Sequence, residues 1–322
     1  VAIGENPIDA YAALFRGAFD GELRLGTTLA GFTPLLLTSI AFAVAAKAGA
    51  FNVGVEGEVF LGGITAAYIG INWTFLPKPA LYVACFVGAM VVAAAWAFIP
   101  AVLRAYYNVN EVCTTILMNT VALYITSYLV SGPMSAGTAN AQSLPVTVRL
   151  YQFMKPSSVN VGIFIAAITV IVIIFMLQKS SWGYKIRTVG LNPTHADYVG
   201  IDSKKVFVGA MMLSGMLGGM AGCIEVLGVH GYFLNNFATG LGSNGMLAAL
   251  IVKNNMVSTP FMAFFLAVLK SGAMGMQQST GVPKSLVDTI TAVFIIIATM
   301  ETAFQFTKKR KKKTEEKKED KA

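Results

Sequence analysis

The chain of 322 residues is 55% hydrophobic and only 12% charged, with a mean hydropathy of +0.65. This composition leaves too little polar surface to coat a soluble globule of this length, so it excludes a soluble protein and predicts an integral membrane protein. The formal net charge is +8, and the segment from Lys308 onward supplies +5 of it, nine Lys or Arg minus four acids. The rest of the chain therefore carries only +3, 15 basic residues minus 12 acids, so nucleic acid is not an expected partner.

Runs of apolar residues divide the chain into segments that approach the span length of about 20 residues. Four runs contain no charged side chain: Thr27–Ala46, Ala80–Leu103, Val159–Gln178 and Val206–Ile224. Five weaker runs are short, interrupted by glycine or contain an acid: Val55–Ile71, Val112–Ser131, Leu241–Val252, Pro260–Met276 and Ser285–Phe306. The sequence therefore predicts an all-α polytopic transmembrane helix bundle of about nine spans.

Basic residues predict the orientation, because Lys and Arg in short loops stay on the cytoplasmic side of the membrane. Five Lys or Arg lie within residues 179–205, and nine lie in the tail from Lys308. Both segments are therefore predicted to be cytoplasmic. Nine spans then place the C-terminus inside the cell, and they place Val1 and the long loop Gly132–Ser158 outside.

The chain is predicted to form one membrane domain, residues 1–306, followed by a basic tail, residues 307–322. We expect the tail to be disordered and to lie near anionic membrane lipid, which attracts basic segments. The stretch before Asp20 is polar and loop-like, which predicts that a first span is missing from this sequence.

Residues 179–205 form a polar island between two strongly apolar segments. Its central part, GYKIRTVGLNPTHADYVGI from Gly183 to Ile201, carries several charged residues and a helix-stopping Pro193. A folded, charged loop in this position provides a surface by which a soluble partner can push on the transmembrane helices. The segment is therefore predicted to be a docking loop, as in an energised transporter.

Residues 48–63, AGAFNVGVEGEVFLGG, are unusual for a span because five glycines interrupt them. Irregular backbone at membrane depth persists only where it is buried in protein or lines a wet cavity. Asn52 and Glu56 are therefore candidate residues of a translocation path. The alternative is an ordinary cytoplasmic turn that joins two spans.

Three further polar residues within or near the predicted spans are candidates for the same path. Asn119 needs partners that its own helix cannot supply, so it either bridges helices or faces a cavity. Asn244 belongs to a set of neutral hydrogen-bonding residues that suit a polar, uncharged solute. Glu225 is the acid nearest a span interior, which indicates function, although a solvated carboxylate at the membrane surface is an equal alternative.

No sequence of the form GxxxxGK[ST] occurs, so the chain cannot hold nucleotide phosphates in a P-loop. With two His residues and no HExxH or Cys cluster, a zinc protease is also poorly supported. The chain is predicted to be neither an enzyme nor a metal protein, with no cofactor of its own.

Several motifs together resemble one family of transporters. They are FNVGVEGE at Phe51–Glu58, NEVCTTILMN at Asn110–Asn119, the docking-loop sequence from Gly183, LSGMLGGMAG at Leu213–Gly222 and CIEVLGV at Cys223–Val229. They resemble the permease subunits of ATP-binding-cassette (ABC) importers that handle branched-chain amino acids, simple sugars and nucleosides. Within that group the chain is most similar to the nucleoside permeases, over about residues 12–304.

The resemblance implies a multi-pass permease in a bacterial cell membrane. It implies a cytoplasmic ABC ATPase that carries ATP and Mg²⁺, a second permease subunit that is a different chain, and an extracellular substrate-binding lipoprotein. It also implies that residues of the docking loop match the family's coupling element and seat in the ATPase: Gly183, Arg187, Gly190, Asn192, Ala196 and Gly200.

The predicted function is therefore a translocation path for a small polar solute, with a nucleoside as the favoured solute. Sugar or branched-chain amino acid transport within the same group is an alternative. An ion-driven secondary carrier is another, for which ionisable groups deep in the spans are expected. A non-transporting membrane scaffold or enzyme subunit is the alternative from outside transport.

Overall fold

The computed structural model describes residues 7–280, together with residues 285 and 289. In this part of the chain the helices are α1 (Pro7–Phe19), α2 (Gly21–Lys47), α3 (Val55–Asn72), α4 (Lys78–Tyr107), α5 (Glu111–Ser131), α6 (Gly162–Lys179), α7 (Ser181–Leu191), α8 (Pro193–Tyr198), α9 (Ser203–Ile224), a π-helical turn (Glu225–His230), α10 (Leu241–Ile251) and α11 (Thr259–Thr280). The predicted all-α bundle is confirmed.

Six of the described helices are long and apolar enough to cross a membrane: α2, α4, α5, α6, α9 with its π-helical turn, and α11. The predicted span Val55–Ile71 coincides with the less apolar α3, and Leu241–Val252 coincides with α10. At a rise of 1.5 Å per residue, the 11 residues of α10 extend only about 16 Å, roughly half the hydrocarbon core. The ninth predicted span, from Ser285, and the basic tail lie outside the described residues, apart from residues 285 and 289.

The centre of the bundle is α9, which packs against α2, α3 and α4. Glycine makes this packing possible, because a Cβ on Gly215 would lie 2.7 Å from the backbone oxygen of Ala93, and a Cβ on Gly218 would lie 2.9 Å from Cβ of Glu58. A Cβ on Gly222 would overlap the backbone of α3 at Val59. Small residues let helices approach closely where lipid offers no hydrophobic drive.

The N-terminal segment is a helix, and the prediction of a loop-like stretch before Asp20 was wrong. Pro7 begins α1, a position where its missing N–H costs nothing. Leu14 and Ala18 are buried. A Cβ on Gly17 would lie 2.8 Å from the backbone of Gly272 and of Gly275, so α1 is held against α11.

The two ends of the bundle differ. The segment between α5 and α6, residues 132–161, covers one end and is here called the loop face. The opposite end carries α7 and α8 and is called the α7 face. The predicted docking loop is thus mostly helical, and Pro193 both follows the end of α7 and begins α8.

Candidate functional site

A cavity of about 320 Å³ lies between α2, α10, α11 and the π-helical turn, towards the loop face. This volume falls at the lower end of small-molecule pockets, about 300–1,000 Å³. Most of its wall is apolar. The polar side chains in the wall are Thr27, Ser158, Glu225, His230, Thr239, Asn244, Lys270 and Ser271.

Glu225 is buried in the cavity wall, with 7% of the residue exposed. The Nε2 atom of His230 lies 3.6 Å from its Oε2 atom, and the positive charge of Lys270 acts on it from α11. The interpretation of Glu225 as a solvated surface carboxylate is therefore wrong. The reason is that the helix does not end at Ile224 but continues as the π-helical turn to His230.

His230 and Lys270 were not among the predicted site residues. Lys270 could have been identified from the sequence, because it is a basic residue inside the predicted span Pro260–Met276. An ionisable side chain within a span indicates a functional site. His230 had no such signal, because only the π-helical turn brings it beside Glu225.

One side of the cavity is aromatic. The ring of Phe237 lies 5.8 Å from the His230 ring, 5.2 Å from that of Phe233 and 5.7 Å from that of Phe60, all edge to face. These contacts fix the orientation of Phe237, since edge-to-face pairs are favourable at such distances. The cavity thus combines charged, amide and aromatic groups.

The loop between α5 and α6 holds the π-helical turn in place. A π turn leaves backbone carbonyls that the helix does not satisfy, and the loop supplies donors for them. The backbone N–H of Leu150 donates to Leu227 O at 2.9 Å, and Nε2 of Gln152 donates to Gly228 O at 2.8 Å. The Arg149 guanidinium donates to the backbone oxygen of His230 at 3.0 Å. The position of Glu225 therefore depends on this loop.

Asn52 does not line the cavity but joins α3 to α9. Its amide nitrogen donates to Glu58 Oε1 and to Ser214 Oγ, both at 2.9 Å, and its oxygen accepts from Gly54 N. The buried acid of this segment is thus Glu58, 1% exposed. Glu56 is only partly buried and lies against the backbone of Gly242 on α10.

Asn119 bridges helices, which is one of its two predicted roles. Its Nδ2 donates to the Val53 carbonyl at 2.8 Å, and its Oδ1 accepts from the Gly57 backbone at 2.8 Å. These two bonds hold the entry to α3, because the N–H groups of a helix's first turn have no partner within the helix. Among the predicted path residues, the cavity brings together Asn244 and Glu225.

On the α7 face, three of the predicted coupling residues fix α7 to the bundle. A Cβ on Gly183 would overlap the carbonyl oxygens of Met176 and Leu177, and one on Gly190 would overlap that of Lys47. The guanidinium of Arg187 donates to the Leu177 carbonyl. These residues therefore contact the membrane helices, so any contact of α7 with a partner falls on its other side.

The other three coupling residues shape α8. Asn192 caps it by accepting from His195 N at 3.0 Å, Ala196 is fully buried, and Gly200 has a φ of +81°, which glycine tolerates best. Large apolar side chains around α8 are exposed, with Leu191 at 88% and Tyr198 at 86%.

The α8 helix is tied to α9. Ser203 donates through its N–H and its hydroxyl to the Asp197 carboxylate, each at 3.0 Å. Asp202 caps α9 by accepting from the backbone N–H of Lys205, and this bond lowers the pKa of Asp202 below its ordinary value. The bonds from Ser203 therefore fix α8 to the first turn of α9.

A protein-family model described as the permease component of the branched-chain amino acid transport system matches residues 24–299. The chain belongs to this permease family. The match includes the cavity, the π-helical turn and both helices of the α7 face. As in the sequence interpretation, the chain is a multi-pass membrane permease.

Curated relatives resemble the permease over most of its length. It is 33% identical to a guanosine ABC transporter permease of Bacillus subtilis (96% of this chain, 90% of the relative). It is 32% identical to a glucose ABC transporter permease of Haloferax volcanii (92% and 81%) and 31% identical to a nucleoside ABC transporter permease of Lactococcus lactis (92% and 84%). No solved structure matches the chain.

Proposed function

We propose that this permease is the membrane subunit of an ABC importer and carries a nucleoside across the membrane. The observation that carries the proposal is the similarity of nearly the whole chain to two permeases named for guanosine or nucleosides. The glucose permease of Haloferax volcanii, at similar identity, supports a sugar as the alternative solute.

The cavity wall supports a nucleoside. A nucleoside has a flat aromatic base and a polyhydroxylated ribose, so its site needs an aromatic face together with hydrogen-bonding groups. Phe237 and His230 supply rings, and the Asn244 amide supplies a donor and an acceptor. A sugar needs the hydrogen-bonding groups but gains less from the rings.

The α7 face supports coupling to a cytoplasmic ATPase that binds ATP and Mg²⁺. Its exposed apolar residues, Leu191 and Tyr198, offer a docking surface, and the predicted orientation places this face, and the C-terminus, in the cytoplasm. A second permease chain and an extracellular binding protein complete the proposed assembly. In it, closure of the ATPase moves α7 and α8, and the two permeases rock around the solute.

One observation favours an ion-driven carrier as a second candidate. Glu225, His230 and Lys270 bring three ionisable side chains to a single cavity, as in carriers that bind protons or ions. The two functions differ in their energy source.

Uptake by reconstituted vesicles separates these functions. The permease is purified with its co-expressed ATPase, second permease and binding protein, and uptake of radiolabelled guanosine, glucose and leucine is measured with ATP inside. We expect ATP-dependent uptake of guanosine, abolished when the ATPase carries a Walker-motif Lys→Ala change. Guanosine uptake driven by an ion gradient in vesicles without ATP contradicts ABC coupling, and uptake of glucose or leucine in place of guanosine contradicts the nucleoside.

A further inference from the structure

We propose that Glu225 selects the solute by accepting hydrogen bonds from the N–H edge of a guanine-type base. This inference rests on the proposed nucleoside transport and adds the class of base. It starts from the position of the carboxyl group. Glu225 opens the π-helical turn, and its side chain lies in the cavity wall with only 10% of its surface exposed.

A buried carboxylate is costly unless charges and hydrogen bonds compensate it. The positive charge of Lys270 compensates part of the charge of Glu225. The 3.6 Å contact with His230 is longer than a good N–H···O hydrogen bond, about 2.7–3.2 Å. Because an ionised carboxylate accepts up to about four hydrogen bonds, Glu225 has capacity left for donors from a solute.

Among the nucleobases, guanine fits this capacity best. Its N1–H and N2–H groups point the same way from one edge, so the two oxygens of a carboxylate accept both, as they do from the paired N–H groups of arginine. Adenine presents an N–H group beside a bare ring nitrogen, which repels the second oxygen. Uracil has one N–H between two carbonyl oxygens. Each poorer match leaves part of the buried carboxylate unpaired, and this is how polar sites reject analogues.

The neighbours of Glu225 suit the rest of the nucleoside. Phe237 lies in the cavity wall with its ring edge to face against the ring of His230, so it supplies an aromatic group for the base, and base–aromatic stacking tolerates any base. Asn244 on α10 contributes an amide for ribose hydroxyls. Stacking therefore holds the base without distinguishing it, and the choice of base falls to Glu225.

The first test uses the unaltered complex of both permease chains with the ATPase, without the binding protein, so that only the membrane site is probed. Displacement of labelled guanosine is measured with inosine, which lacks the N2 amine, and with 7-deazaguanosine, which is altered on the opposite edge. We expect inosine to bind several-fold more weakly than guanosine and 7-deazaguanosine to bind equally well. Equal binding of inosine and guanosine overturns the proposal.

The second test compares Glu225→Gln and Glu225→Asp in the complete transporter with an unchanged binding protein. Because the binding protein is the same, a change in the ratio of guanosine to adenosine uptake comes from the permease. Glu225→Gln should lower this ratio about tenfold or more through the loss of charged hydrogen bonds, and Glu225→Asp should retain a preference for guanosine. An unchanged uptake ratio in Glu225→Gln contradicts only the proposed role of Glu225 and leaves the proposed nucleoside transport standing. A wild-type transporter that imports no nucleoside contradicts both.

Discussion

Replacement of Gly222 by alanine tests how closely α9 approaches α3. The added methyl group would overlap the carbonyl oxygen of Val59 and lie 2.7 Å from the backbone nitrogen of Gly63. Both are backbone atoms, so they cannot move aside as a flexible side chain can. The helices must separate, and forced overpacking costs about 1–3 kcal/mol.

Gly31→Ala in α2 is the matched control, because no described atom lies within 4 Å of the position of its new methyl group. Both variants gain the same helix propensity, about 1 kcal/mol for Gly→Ala, so the difference between them isolates the packing cost. We expect Gly222→Ala to be less stable than Gly31→Ala by about 1–3 kcal/mol. Thermal unfolding of the detergent-solubilised protein, followed by intrinsic fluorescence, measures this difference. Equal midpoints for the two variants would refute the close approach of α9 to α3.

Three further predictions concern the two ends of the bundle. Arg187→Glu should insert at the wild-type level but lose ATP-driven uptake in vesicles, and normal uptake would contradict coupling through α7. Asp202→Ala should unfold at a lower temperature than Asp202→Asn at pH 7, since only Asn keeps the cap of α9. Because the pKa of Asp202 is lowered in the folded protein, its carboxylate stabilises the wild-type protein at pH 7, and this stabilisation declines as acid protonates the group. Gln152→Ala should speed amide hydrogen exchange in the π-helical turn by unpairing the Gly228 carbonyl, whereas substitution of the exposed neighbour, Tyr151→Ala, should not. Equal exchange in the two variants would contradict stabilisation of the π-helical turn by Gln152.

Hydropathy predicted most of the helices, because a helix that crosses lipid needs apolar side chains along its whole length. Each span is therefore recognisable as a continuous apolar run in the sequence. The α1 helix was missed because it is short and amphipathic rather than apolar on all sides, and its partner, α11, lies more than 200 residues away.

The cavity could be predicted only in part, because it depends on contacts between distant segments. Asn244 and Glu225 were identified as polar residues in or near spans, and Lys270 carried the same signal. The burial of Glu225 and the approach of His230 depend on the π-helical turn, which is stabilised by donors from residues 149–152. No pattern within Glu225–His230 specifies those donors. Asn52 and Asn119 were predicted as path residues for the same reason as Asn244, because all three are polar residues in or near spans. The sequence could not show that Asn52 and Asn119 form their hydrogen bonds with other residues of the protein.

The α9 helix connects the α7 face to the cavity. Its first turn is fixed to α8 through the bonds from Ser203 to Asp197, and its last residue, Ile224, leads directly into the π-helical turn. At 1.5 Å per residue, its 22 residues make a rod of about 33 Å, long enough to span the hydrocarbon core. Close packing of its glycines against α3 and α4 favours movement of α9 as a unit with them rather than bending. In the proposed transport cycle, a displacement of α8 would therefore reach the cavity through α9 at the π-helical turn, where the widened backbone would allow the position of Glu225 to change.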